Sequence, residues 1–162
     1  MPLFSHKYKI ILALFLSVFV SYQSKAMDDV EVQAYATFIQ DLINSASMTR
    51  TGQICTFGSD EISNIILIQS SKSINLDRNQ GDITKCKAIY IARGSEKILK
   101  LEISKFNKNK IMTVAVFEGF LESGGMVQVQ IGRRDFEVML NYKEVKAAGI
   151  RLSALILSLV IN

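Results

Sequence analysis

The chain has 162 residues, 49% of them hydrophobic, with 19 Lys and Arg against 15 Asp and Glu and a formal charge of +4. That length fits one domain with one core. Its only histidine is His6 and its only proline Pro2, and it has two cysteines and no tryptophan, which excludes any multi-histidine metal centre.

At the N-terminus, His6, Lys7 and Lys9 precede the run Ile10 to Val20, which is apolar apart from Ser17 and has the shape of an export signal. Ser24 and Ala26 put small residues at the −3 and −1 positions of a cut after Ala26. The expectation is a signal peptide over residues 1–26 and a mature domain over residues 27–162. A retained anchor is disfavoured, since eleven residues at about 1.5 Å each reach only about half of a roughly 30 Å hydrocarbon core. Lys7, Lys9 and Lys25 leave with the leader and no acid does, so 16 basic residues face 15 acidic ones, a formal charge of +1. The positive excess belongs to the leader, and no nucleic-acid partner is expected. His6 leaves as well, so the mature domain can form no Ser-His-Asp triad, no Cys-His pair and no histidine metal site. Two cysteines alone fall short of structural zinc, and neither metal nor cofactor is expected.

Residues 31–43 place Val32, Tyr35, Ala36, Ile39, Leu42 and Ile43 at helical spacing, which predicts an amphipathic helix. Residues 44–52, rich in Ser, Thr and Asn, read as a loop, and residues 54–58 as a short buried strand. Ser59 can cap a helix running to Leu67, with Ile62, Ile65 and Ile66 on one face. Residues 73–76 suit a second strand, residues 77–82 a polar loop without an apolar anchor, and residues 87–92 a central strand. A helix follows over residues 95–106, carrying Ile98, Leu99, Ile103 and Phe106, and then an apolar strand over residues 111–116. Strand and helix alternate, the pattern of a largely parallel sheet between helices.

The last third changes character. Residues 126–131 and 135–140 alternate on either side of a turn at Gly132, Arg133 and Arg134, which predicts a hairpin. Asn141 can cap a short helix to Ala148, Gly149 suits its C-terminal cap, and Leu152, Leu155, Ile156 and Leu159 predict a docked core helix in the tail. The expected fold is therefore a single α/β domain, a mixed and largely parallel sheet between helices, with a C-terminal hairpin plus helix.

Cys55 and Cys86 both remain in the mature domain, and export brings them into an oxidising compartment. A Cys55–Cys86 disulfide is expected there, the alternative being two buried free thiols. Glu118 and Glu122 flank Phe120 and are the nearest carboxylate pair, a pattern more common on solvated faces than in catalytic couples. Gly124-Gly125 lacks the spacing of a phosphate loop and precedes a strand, so a tight turn with a positive φ is expected. Arg133-Arg134-Asp135 reads as a solvated hairpin tip.

The order of these pieces is more specific than any one of them. Phe117-Glu118-Gly119-Phe120 is followed by Gly124-Gly125-Met126, the hairpin with Phe136-Glu137-Val138-Met139-Leu140-Asn141, and Ala147-Ala148-Gly149-Ile150-Arg151-Leu152-Ser153. Upstream, Ile54-Cys55 precedes Phe57-Gly58, and Cys86 stands just ahead of Ile89-Tyr90-Ile91. Over most of residues 35 to 160 this resembles the YfiR family of periplasmic regulatory proteins. It departs from the family in lacking an aromatic-proline element after the first helix, in a short segment between the cysteines, and in lacking a second, C-terminal cysteine pair.

The resemblance implies an α/β sandwich that acts by contact and not as an enzyme. The family's best-known member holds a membrane-bound diguanylate cyclase, YfiN, inactive in c-di-GMP signalling, and is itself antagonised by an outer-membrane lipoprotein. The implied partners are the periplasmic part of an inner-membrane cyclase or kinase, an outer-membrane lipoprotein and a second copy of the chain. The alternative is a small-ligand sensor or carrier with a pocket at the carboxyl ends of the strands. The candidate interaction surface comprises Glu118, Phe120, Glu122, Gly124 and Gly125 with Arg133 and Arg134 of the hairpin tip.

Overall fold

The computed structural model describes residues 28–79, 81–131 and 135–161. The expected leader over residues 1–26 lies outside them, as do Arg133 and Arg134. Helix α1 (Asp29–Ser45) buries the six residues whose spacing predicts it. Strand β1 (Gln53–Phe57), helix α2 (Glu61–Gln69) and the two-residue strand β2 (Ile74–Asn75) follow. A short helix, α3 (Leu76–Asn79), and a 3-10 turn (Ile83–Lys85) then lead into β3 (Cys86–Ile91). Next come α4 (Glu96–Lys108), β4 (Met112–Ala115), the hairpin strands β5 (Val127–Ile131) and β6 (Phe136–Leu140), α5 (Tyr142–Ala147) and α6 (Ala154–Leu157). Among the described residues no helix is long and apolar enough to cross a membrane.

The six strands form one sheet in the order β2-β1-β3-β4-β5-β6. All neighbours are parallel except the β5–β6 hairpin. Because strand side chains alternate, central β3 feeds two cores at once. Ala88 and Tyr90 pack with Ile39, Leu42 and Ile66 from α1 and α2, whereas Ile89 and Ile91 pack with Leu99, Ile103 and Phe106 of α4. A sheet apolar on both faces and covered by helices on both is thus the arrangement adopted.

Two local readings are corrected. Asp60, not Ser59, caps α2: its Oδ1 accepts from the Ser63 amide while Ser63 Oγ accepts from the Asp60 amide, a reciprocal capping box. The tail is a helix for four residues only, and Leu155, expected in the core, is 73% exposed. The backbone beyond α6 pairs with the open edge of β6 instead, the Val138 amide donating to Leu159 O and the Ile161 amide to Val138 O. An uncovered edge offers unpaired amides and carbonyls, and meeting them outweighs continuing a helix whose face would be half polar.

The expected C-terminal cap of α5 is present. Gly149 has φ +71, with its amide on Lys146 O and the Ile150 amide on Val145 O, a Schellman arrangement. Chain direction then sorts the molecule into two ends. Near the carboxyl end of the parallel strands, the Ile131 amide donates to the Tyr35 hydroxyl. At the amino end, Ser47 after α1 and Arg151 after α5 exchange a two-bond antiparallel bridge.

Candidate functional site

Open α/β sheets usually bind ligands at the carboxyl end, where successive connections diverge. Here that point lies between β1 and β3, and the chain's own side chains fill it. Asp77 Oδ2 accepts from the Gly58 amide at 2.6 Å, and the Asn75 side-chain amide donates to Gly58 O at 3.1 Å. Asp60 Oδ2 accepts from the Tyr90 hydroxyl and from the Arg93 amide, both at 2.9 Å. The N-terminus of α2, which could have taken an anion, is thereby occupied by a protein carboxylate. Burial pushes the Tyr90 phenol well above its ordinary value, and the charge and hydrogen bond of Asp60 add to the shift. At the β1–β3 junction itself the space is a closed polar joint, whereas two shallower clefts at the same end of the sheet lie against Phe136 at the start of β6.

The β4–β5 connection holds five of the expected surface residues and separates them. Glu118 and Glu122 stand exposed, and Gly124 is half-buried with φ +95, the turn geometry its Gly-Gly dipeptide predicts. Phe120 is fully buried and meets Phe117 edge-to-face, their centroids 5.4 Å apart. Gly125 is buried beneath it, and a Cβ there would overlap the Phe120 ring. Phe120 and Gly125 therefore belong to the core, a correction with a simple cause: this connection contains no helix and must supply its own apolar anchor over α4. Both glutamates are exposed on the loop, the placement of a solvated pair. Asn107 of α4 secures the loop, its side-chain amide donating to Gly124 O at 3.0 Å and to Glu144 Oε2 at 3.2 Å.

Cys55 and Cys86 are joined, with 5.7 Å between their Cα atoms, across the neighbouring strands β1 and β3. Both are fully buried on the α4 side. Arg50, which the composition of its loop concealed, grips the backbone beside them. Its Nε donates to Cys86 O at 2.6 Å, Nη1 to Asn109 O at 3.2 Å, and Nη2 to Thr84 O at 2.6 Å and Ile83 O at 3.2 Å. These carbonyls close the 3-10 turn and the end of α4, where a cation is favoured by the unpaired acceptors. No linear signal marks an arginine that bonds four carbonyls and no acid.

A cleft with a volume of about 660 Å³ lies at the amino end of the strands. Met48, Leu140, Val145, Ile150, Leu152 and Leu157 supply its apolar lining, and the Ser47–Arg151 bridge ties its two sides together. Tyr142 and Lys146, one helical turn apart on α5, stand with Arg151 among its polar-tipped residues. Among the described residues no group of three or more His, Cys, Asp or Glu could hold a metal ion.

The sequence matches the YfiR/HmsC-like family over residues 35–160, most of its length, and the chain belongs to that family. The family is one of periplasmic, non-enzymatic regulators. No curated protein sequence matches this one. Among solved structures, a conserved domain protein from Vibrio cholerae O1 biovar El Tor superimposes with a TM-score of 0.59 at 11% identity, covering 80% of this chain and 58% of that one. The ABC domain in complex with L-Trp from Streptococcus pneumoniae does so with a TM-score of 0.53 at 14% identity, covering 80% and 60%. At such identities the likeness is one of fold alone, and this chain spans about three-fifths of either structure.

Proposed function

We propose that this member of the YfiR/HmsC-like family is a periplasmic regulatory protein that modulates an inner-membrane signalling enzyme by protein-protein contact. The family match over residues 35–160 carries the reading. In it, the leader over residues 1–26 directs export and is removed, and the folded domain binds the periplasmic part of a diguanylate cyclase of YfiN type. An outer-membrane lipoprotein is the counterpart that relieves the contact, and a homodimer would match a dimeric target. The chemistry supports a binding role. The usual ligand position is taken by Asp60, Asp77, Asn75 and Tyr90, and the exposed carboxylates Glu118 and Glu122 offer charge to a partner without enclosing a reacting group.

The test is in-cell crosslinking of epitope-tagged protein followed by mass spectrometry of what it captures. Recovery of an inner-membrane cyclase or kinase is expected, and its yield should fall in a Glu118→Lys, Glu122→Lys variant. Recovery of the protein alone would overturn the reading.

A further inference from the structure

We infer that the cleft between α5, α6 and residues 47–49 is a binding site for a small amphipathic carboxylate, its apolar body on Leu140, Val145 and Leu157 and its charge between Lys146 and Arg151. The inference does not rest on the regulatory reading, and it places the ligand at the end of the sheet opposite the usual position. Three observations converge. The volume, about 660 Å³, falls in the range of roughly 300–1,000 Å³ typical of small-molecule sites. The cleft is mostly apolar at its surface, yet Tyr142 and Leu157 remain 58% and 49% exposed, so apolar area is left for a ligand to cover. Its charge is one-sided: Lys146 and Arg151 line it and no carboxylate does. Both cations are exposed, and the ion pair between Lys105 and Glu102 involves neither.

The occupant follows from that complementarity. A neutral apolar molecule would leave both cations unused, and a cationic one would be repelled. The frame is well fixed. Gly149 closes α5 in its Schellman arrangement, and the Ser47–Arg151 bridge holds the backbone that carries the guanidinium.

The experiment is calorimetric titration of the purified protein with hexanoate, octanoate and decanoate below their micellar concentrations. One saturable site is expected. Burying a methylene is worth about 0.8 kcal/mol, so affinity should rise by up to about fourfold per added CH2. A Lys146→Glu, Arg151→Glu variant changes exposed side chains only and should keep its circular dichroism and melting temperature while losing at least about tenfold in affinity for decanoate. Decyltrimethylammonium should not bind. The inference is overturned if decanoate gives no saturable heat at millimolar concentration, if the ammonium amphiphile binds as well, or if the double variant binds decanoate unchanged. It is also overturned if the chain is a dimer that Leu157→Glu dissociates and that decanoate does not enter, since a second copy would then cover the cleft.

Discussion

Replacing Arg50 by alanine removes the guanidinium from a joint in which it donates to four backbone carbonyls, and the cost can be worked from the contacts. A hydrogen bond to a charged group contributes about 1.5–3 kcal/mol where both partners are shielded, and a neutral one about 0.5–1.5 kcal/mol. Arg50 is half-buried, and its bond to Thr84 O reaches solvent, so water can replace part of what is lost. The bonds to Cys86 O, Asn109 O and Ile83 O are better sheltered. Discounting the exposed bond, and the solvent that reaches the half-buried ones, leaves an expected loss of about 2–3 kcal/mol, a large share of the roughly 5–15 kcal/mol that holds a domain folded. Lysine should restore less than half of it, because an ammonium cannot present the planar fork that reaches four acceptors from one side chain. The assay is urea unfolding followed by far-ultraviolet circular dichroism with the disulfide intact, the slope serving as a check that the unfolded state has not changed. A loss below about 0.5 kcal/mol, or full recovery by lysine, would refute the view that Arg50 fastens the start of β3 to the end of α4.

Removing the disulfide in a Cys55→Ala, Cys86→Ala variant should cost about 3–4 kcal/mol on the chain-entropy account, given a sequence separation of 31; a loss under about 1 kcal/mol in urea unfolding would contradict it. The Tyr90 phenol is raised in the folded state, so its contribution is constant below about pH 10, where the unfolded phenol begins to ionise, and is lost as pH climbs toward the folded value. Stability measured from pH 7 to pH 11 should therefore fall at the alkaline end, and Tyr90→Phe should flatten that fall while costing about 0.5–1.5 kcal/mol at pH 7 for the lost bond to Asp60. Gly125→Ala should destabilise by about 1–3 kcal/mol through overlap with the Phe120 ring, and an unchanged melting temperature would show that the ring has room to move.

Period carried most of the fold into the sequence. The spacing of Val32, Tyr35, Ile39 and Leu42 is a helix because each lies on one stripe, and all four are buried. The apolar run around Ile89 and Ile91 is a strand covered on both faces, as its lack of alternation requires. Periodicity failed where backbone bonding decided. Leu152, Leu155, Ile156 and Leu159 fit a helical face, but the β6 edge claims the backbone of residues 159–161, and nothing in a linear pattern shows that an edge is waiting. Phe120 failed for the opposite reason: between two acids and near two glycines it looks like loop surface, whereas the connection has to bury an anchor and Phe120 is the aromatic side chain it buries fully.

The same logic separates the two ends of the sheet. Polar residues at the carboxyl end are short-range partners of one another: Asp60 with Ser63, Tyr90 and Arg93, and Asp77 and Asn75 with Gly58. Satisfied groups of this kind specify a fixed backbone and leave little free energy for a ligand. At the amino end Lys146 and Arg151 flank an apolar cleft with no acid in its lining, and Tyr142 and Leu157 stay open to water. Binding draws on surface that folding has not already used, so an α/β sheet whose switch point is spent on its own joint can respond to a ligand only elsewhere. The site inferred above lies at the α5–α6 end, where Asn107 links Glu144 of α5 to the Gly124 carbonyl and so joins the helix that lines the cleft to the loop bearing Glu118 and Glu122.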